Sequence, residues 1–161
     1  MNSNGRVGIG YDVHPLVPGR PLVLGGVRIP FEKGLMGHSD ADVLVHAACD
    51  AVLGAAGLGD IGHHFPDSDP LYKNIFSVEL LRRCAAMIKA REYKVVNLDA
   101  TVFAQAPKLA PHCCAMQKVM ADALGCLEGQ INIKATTTEG LGNIGRGEGM
   151  AAMCIVLIEK L

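Results

Sequence analysis

The feature that most constrains this chain is its last apolar run, Gly149 to Glu159 (GMAAMCIVLIE), which is apolar at nearly every position instead of at alternate ones. A strand with one wet face alternates, whereas an unbroken run belongs to a strand covered on both faces. The chain has 161 residues, enough for one domain with its own core. Its helical segments can cover one face of a sheet. The second face needs another cover, and oligomerisation is the simplest one for a chain this small. A composition that is 50% hydrophobic and only 19% charged points the same way. With no Trp, three Tyr and four Phe, the core has to be built from Val, Ile, Leu, Ala and Met.

The remaining segments are mixed in type. Arg6 to Val13 alternates and reads as a strand. Leu22 to Ile29 reads as a hairpin, because Gly25-Gly26 supplies positive φ between two apolar runs. Ser39 to Gly54 reads as a helix, with Ser39 as cap and Asp42 three residues later completing a capping-box pattern. Ala41, Leu44, Val45, Ala48 and Val52 form its apolar face. Gly57 to Pro70 is a loop rich in Gly, Asp and His. Phe76 to Ala90 is a second amphipathic helix and Lys94 to Ala104 a long strand. Pro107 suits the first turn of a third helix that runs to about Leu124 and ends before Gly125. Ile131 to Thr136 is a strand. There is no repeat or linker, so a single α+β domain is expected, a mixed sheet with helices on one face.

A net charge of −1 gives no global basic field for nucleic acid. No apolar run approaches the ~18 residues of a membrane span. Met1 to Arg6 is short and polar and carries no signal-peptide pattern. The six cysteines include no CxxC pair, and Cys49, Cys84 and Cys154 lie in apolar periodic segments, so reduced thiols in a reducing compartment are expected.

Asp12 and His14 are two apart on a strand and project from one face, as metal ligands or as a hydrogen-bonded surface pair. Asp42, His46 and Asp50 follow i, i+4, i+8 spacing and make a polar stripe. His46 suits a third ligand, with Asp42 or Asp50 accepting its other ring N–H. Two His and one carboxylate with an open position suit a catalytic zinc ion. His38 and Ser39 precede the helix, where backbone N–H groups favour an anion. Asp60 to Pro70 reads as an ordered functional loop. Lys108 offers a point charge to a phosphate. In Thr136-Thr137-Thr138-Glu139, hydroxyls suit phosphate oxygens and the carboxylate suits a hard cation. Gly145 to Gly149 is a glycine-rich turn around Arg146 that lacks the P-loop pattern. These residues fit a metal-dependent phosphoryl-transfer enzyme, a phosphohydrolase using the same site, or a non-catalytic diphosphate-binding oligomer.

Together, Tyr11-Asp12-Val13-His14, Gly37 to Asp42, Asp60-Ile61-Gly62, Phe65 to Asp69, Ala104 to Lys108, Thr136 to Glu139 and Gly145 to Gly149 resemble the signature blocks of the 2-C-methyl-D-erythritol 2,4-cyclodiphosphate synthases, in that family's order. The resemblance implies a homotrimer whose sheets pack together and whose active sites lie between subunits. It implies conversion of 4-diphosphocytidyl-2-C-methyl-D-erythritol 2-phosphate to the cyclic 2,4-diphosphate and CMP, in the non-mevalonate route to isoprenoids. The expected compartment is the cytoplasm, or a plastid-type organelle if a transit segment has been removed. By the same resemblance Asp12, His14 and His46 are zinc ligands, and Glu139 is the ligand of a Mg²⁺ or Mn²⁺ shared with the diphosphate. His38 and Thr137 stabilise the transition state. Ser39, Asp60, Ile61, Gly62, Phe65, Pro66, Asp67, Ser68 and Asp69 surround the methylerythritol and its phosphate. Ala104, Gln105, Ala106, Pro107, Lys108, Leu109, Ala110, Thr136 and Thr138 hold the cytidine diphosphate from the neighbouring subunit. Arg146 and Asn143 face a central cavity suited to an isoprenoid diphosphate, and Asn143 stands where many members have an aromatic.

Overall fold

A computed structural model describes residues 5–66, 68–72 and 75–161. The elements in chain order are β1 (Arg6–Pro18), β2 (Leu22–Leu24), β3 (Val27–Ile29), β4 (Lys33–Leu35), α1 (Val43–Ala56), α2 (Ile61–His64), α3 (Ser77–Ala90), β5 (Tyr93–Phe103), α4 (Cys113–Leu124), β6 (Ile131–Thr136), α5 (Gly142–Gly145) and β7 (Gly149–Lys160). The expected α+β class holds. A five-stranded sheet has the order β4-β1-β7-β5-β6, and β2 and β3 form the expected hairpin beside it. Only the β5–β6 pair is parallel; the other pairs in the sheet are antiparallel. The apolar β7 lies at the sheet's centre, as its composition demands. Among the described residues, no helix is long and apolar enough to cross a membrane.

The helices cover one face. The core beneath them is aliphatic and thioether, with Leu44, Leu53, Leu98, Met116, Met120, Met150 and Ile158 fully buried. The close fit of α1 on β1 depends on two glycines. A Cβ on Gly8 would lie 2.0 Å from the Ala51 carbonyl oxygen, and one on Gly10 would lie 2.0 Å from that of Ala47. Helix and strand backbones therefore nearly touch, which only glycine permits. Ala47, Ala51 and Ala55 supply the matching small residues on the helix. On the opposite face, Val7, Ile9, Tyr11 and Val13 of β1 are 51–67% exposed, and Met153 and Ile155 of β7 continue the patch. That row of large apolar side chains is the uncovered second face that the apolar run implied.

Two expectations about helix starts are corrected. α1 begins at Val43, not Ser39, and its cap is Asp42. Ala41 has φ 58°, outside the helical region, so residues 39–42 cannot be a helical turn. Asp42 is fully buried and accepts N–H bonds from Gly25 (2.9 Å), Gly26 (2.7 Å) and Val45 (3.1 Å). It thus ties the β2–β3 turn to the start of α1. Burial pushes its carboxyl up to about 6, against the pull of those three N–H groups. Pro107 does not open a helix either. The proline in the first turn of that helical segment is Pro111, second residue of a 3-10 turn over Ala110–His112 that leads into α4. Residues 104–109 instead form a loop.

Candidate active site

The close packing of α1 on β1 brings His46 over Asp12 and His14. Asp12 Oδ2 lies 3.0 Å from His14 Nε2 and 3.0 Å from His46 Nδ1. The two ring nitrogens are 3.2 Å apart. The outer nitrogen of His14, Nδ1, lies 2.9 Å from the Met36 carbonyl oxygen. A carbonyl only accepts, so Nδ1 carries a proton, and Nε2 is turned toward Asp12 and His46. A carboxylate oxygen and two imidazole nitrogens converging on one point can share a proton or hold a cation. Two nitrogens and one oxygen with an open side suit a divalent transition metal. This is the one such group among the described residues. Burial raises the Asp12 carboxyl, but hydrogen bonds with His14 and His46 outweigh it and hold the group far below the ordinary carboxylate range.

These residues line a cleft of about 310 Å³ together with His38, Ser39, Asp50, Ile61, Gly62 and Phe65. Ile61 and Gly62 sit on α2, which Asp60 caps by accepting the His63 N–H at 2.9 Å. Asp50 accepts the Ile61 N–H at 2.8 Å and so anchors α2 to α1. His38 is exposed at the cleft, in a loop that Arg20 grips from behind. The Arg20 guanidinium donates to the carbonyls on either side of His38, those of Gly37 (3.3 Å) and Ser39 (2.9 Å). Pro66 and Ser68 are exposed, and neither they nor Asp69 line the cleft. Asp69 accepts the Leu71 N–H at 2.9 Å. Asp67 lies outside the described residues.

A second groove, of about 350 Å³, is lined by Ala104, Gln105, Pro107, Lys108, Leu109, Ala110, Thr136 and Thr137. Ala106 sits in the same loop but off its wall. The Gly140 N–H donates to Gln105 Oε1 at 3.4 Å, joining the loop to the turn after β6. In that turn Glu139 has φ 53°, an unusual conformation for a glutamate. Thr137 Oγ1 donates to its carboxylate at 3.0 Å and lies 3.3 Å from its N–H. Thr138 donates to the Leu141 carbonyl at 2.8 Å. Arg146 is held within its own turn by Glu148 and Asn143.

The two clefts share no lining residue. Thr136 pairs with Phe103, Phe103 with Ala151, and Ala151 with Val13. They are thus level across the sheet but three strand spacings apart, about 14 Å. Asp12 and His14 share the helix-covered side of β1 with Gly8 and Gly10, whereas Thr136 alternates with the buried Ile131 and Ile133 and points the other way.

Residues 5–159 match the YgbB family. The chain is 66% identical over 154 residues to the 2-C-methyl-D-erythritol 2,4-cyclodiphosphate synthase of Desulfatibacillum aliphaticivorans, covering 96% of this chain and 99% of that one. The chain belongs to the YgbB family.

Solved structures agree. A 2C-methyl-D-erythritol-2,4-cyclodiphosphate synthase in its CDP-bound form superposes with a TM-score of 0.88 at 36% identity, over 96% of this chain and all of that one. The bifunctional IspDF of Campylobacter jejuni gives 0.96 at 46% identity, over 99% of this chain but only 43% of that longer one. Within this YgbB fold, sequence spacing misassigned the groups behind His46. Neither Asp42 nor Asp50 touches its ring. Nδ1 meets Asp12, and Nε2 lies 2.9 Å from Ser77 Oγ and 3.2 Å from Ser39 Oγ. Ser77 is the first residue of α3, and no spacing rule links it to a histidine on α1. Arg20 was missed for the same reason. The signal available was local: Ser77 is a polar residue opening an amphipathic helix that offers no side-chain cap bond of its own.

Proposed function

We propose that this chain, as one synthase domain, converts 4-diphosphocytidyl-2-C-methyl-D-erythritol 2-phosphate to 2-C-methyl-D-erythritol 2,4-cyclodiphosphate and CMP. The observation that carries the reading is the convergence of Asp12, His14 and His46 on one point within a cleft that His38 and Ser39 also line. A divalent cation there, read as Zn²⁺, and a second at Glu139, read as Mg²⁺ or Mn²⁺, supply Lewis acidity to the phosphates when bound.

The reaction is an internal phosphoryl transfer. An oxygen of the 2-phosphate attacks the β-phosphorus, the bond from that phosphorus to the bridging oxygen breaks, and CMP leaves. The nucleophile belongs to the substrate, so the protein's work is positioning, worth roughly 7–11 kcal/mol when reacting groups are well aligned. His38 and the Ser39 hydroxyl bind phosphate oxygens. Ile61, Gly62 and Phe65 wall the methylerythritol, with Asp60 and residues 66–69 in the same segment. The CDP-bound form of the structural relative supports a substrate that carries cytidine diphosphate, and the loop Ala104 to Ala110 with Thr136 holds that part. Lys108, Thr137 and Thr138 offset its charge.

The two clefts of one copy share no lining residue, and the exposed apolar face of β1 and β7 lies open. Both features support a homotrimer, with sheets packed together and each site completed by a neighbour. Arg146 and Asn143 then face the central cavity. Their mutual hydrogen bond and the pairing of Arg146 with Glu148 leave the guanidinium partly engaged for an isoprenoid diphosphate. The compartment is cytoplasmic in this reading.

The test is ³¹P NMR of the protein with this substrate, with and without a chelator. A cyclic diphosphate plus CMP, lost on chelation and restored by metal, is expected. A linear phosphate product would favour the phosphohydrolase reading. Unchanged substrate in the presence of Zn²⁺ and Mg²⁺ would leave a binding protein.

A further inference from the structure

His46 has to offer a lone pair, not a proton, on Nδ1 if a cation is to share the point where Asp12 and His14 meet. Which nitrogen keeps its proton once a cation takes the Nδ1 side is set at the far side of the ring. There Nε2 is 2.9 Å from Ser77 Oγ. Ser77 is fully buried, and its hydroxyl also donates to Asp40 Oδ1. Its backbone N–H donates to Asp40 Oδ2 at 3.1 Å, so the Asp40 carboxylate grips the start of α3 with both oxygens. Asp40 Oδ1 also accepts the Asp42 N–H at 3.3 Å.

The donors can be counted. A carboxylate only accepts, and a serine hydroxyl has one proton. That proton goes to Asp40, so the Ser77 oxygen faces His46 as an acceptor, and His46 Nε2 must be N–H. Asp12 Oδ2, 3.0 Å from Nδ1, is an acceptor too, so without a cation both ring nitrogens face acceptors; a cation at the convergence point takes the place of the Nδ1 proton, and the Nε2–H held by Ser77 is the one that stays. Ser39 fits the same direction. Its Oγ accepts the Ala41 N–H at 3.1 Å and lies 3.2 Å from Ser77 Oγ, leaving its own proton for Ser77 or for a group in the cleft.

We propose that Ser77 is a positioning residue for the metal centre. Backed by Asp40, it fixes the tautomer and orientation of His46 so that Nδ1 is presented to a divalent cation. This rests on the reading of Asp12, His14 and His46 as a metal site. It also joins the centre to the phosphate-facing loop, because the same Asp40 and Ser39 lie in the segment that carries His38.

Two readouts test it. The metal-free wild type, Ser77→Ala and Ser77→Thr are titrated with Zn²⁺ against a chromophoric chelator. Long-range ¹H–¹⁵N spectra of the same proteins loaded with one Zn²⁺ per chain report which His46 nitrogen keeps its proton, assigned by comparison with His46→Gln. The wild type is expected to bind one ion per chain at this site and to show His46 as the Nε2–H form. Ser77→Ala is expected to bind roughly 10- to 100-fold more weakly, the range for losing the partner of a ligating histidine, with its His46 signals moving toward a tautomer mixture. Ser77→Thr keeps the hydroxyl and is expected to restore both. A Ser77→Ala protein with unchanged affinity and a single Nε2–H tautomer overturns the proposal. So does an Nδ1–H form in the wild type, which needs no variant to fold. A wild type that fails to bind Zn²⁺ overturns the metal reading and takes this proposal with it, a result distinct from tight wild-type binding that Ser77→Ala leaves unchanged.

Discussion

The cleft around Asp12, His14 and His46 and the groove around Lys108 and Thr136 are built in opposite ways. The first is interlocked. Asp42, Asp50, Asp40 and Arg20 each tie one wall to another, and Ser39 and Ser77 are buried among them. The second lies on loops at a sheet edge, with Gln105, Lys108, Thr136, Thr137 and Glu139 all exposed. Buried polar groups are held by directional bonds on every side and arrive preassembled. The exposed groups of the second groove bond mostly to near neighbours in their own turn, as Thr137 does to Glu139, and keep open sides for something added. The difference teaches that one copy of the chain holds the Asp12, His14 and His46 group preassembled, whereas the groove around Lys108 and Thr136 stands open, which is what the proposed division of the site between copies needs.

The largest expected effect tests the finished half. His46→Ala removes one of three converging ligands, and turnover should fall by more than about 1,000-fold, the scale set when a group stabilising the transition state is lost. Circular dichroism should stay unchanged, because His46 is not part of the fully buried core. Near-normal turnover in a folded variant would dismiss the metal centre as catalytic.

The next largest effect tests the division between copies. Glu139→Ala should lose roughly 100-fold in activity, with no change in Zn²⁺ affinity, because Glu139 lies in the other half. If each site draws His46 from one copy and Glu139 from another, coexpressed His46→Ala and Glu139→Ala chains should regain about a quarter of wild-type activity, the share of sites with both halves intact in random assemblies. Mixtures no more active than their parents would mean that both halves serve within one copy. A charge on the apolar face probes the same point. Ile9→Lys or Tyr11→Asp should lower the mass seen by light scattering and cut activity by roughly 10-fold or more, since a buried unpaired charge at an interface costs several kcal/mol. Zn²⁺ binding should survive.

Legibility in the sequence followed range. Strands β1, β5 and β6, helix α3 and the end of α4 at Leu124 were readable because periodicity and end signals are local, and β7 because its apolar run is unbroken. The convergence of Asp12, His14 and His46 was readable because Asp12 and His14 share a strand face and His46 lies on the polar side of a helix. What failed was directional and long-range. Asp42 was placed beside His46 by helical spacing, but Ala41 at positive φ ends that register and turns Asp42 toward Gly25 and Gly26. Gly8 and Gly10 gave no hint that a helix backbone would press on them. Ser77 and Arg20 reach their targets across 31 and 19 residues, beyond any periodic rule.

The smallest expected effect concerns how finely the first cleft is held. Arg20 touches no ligand of the metal centre. Its two hydrogen bonds bracket His38 from behind, and its side chain is the clamp on a loop that otherwise leaves His38 exposed. Arg20→Ala should let that loop relax while Asp12, His14, His46 and Ser77 stay in place. Turnover should therefore fall by about 10-fold, the scale of a modest misplacement of a positioning group, while Zn²⁺ affinity stays within about twofold. Ser77→Ala should show a contrasting pattern, with affinity lost first. Finding that Arg20→Ala also loses metal would mean the loop and the centre are one rigid unit, and the interlock in this half would then extend farther than the hydrogen bonds alone indicate.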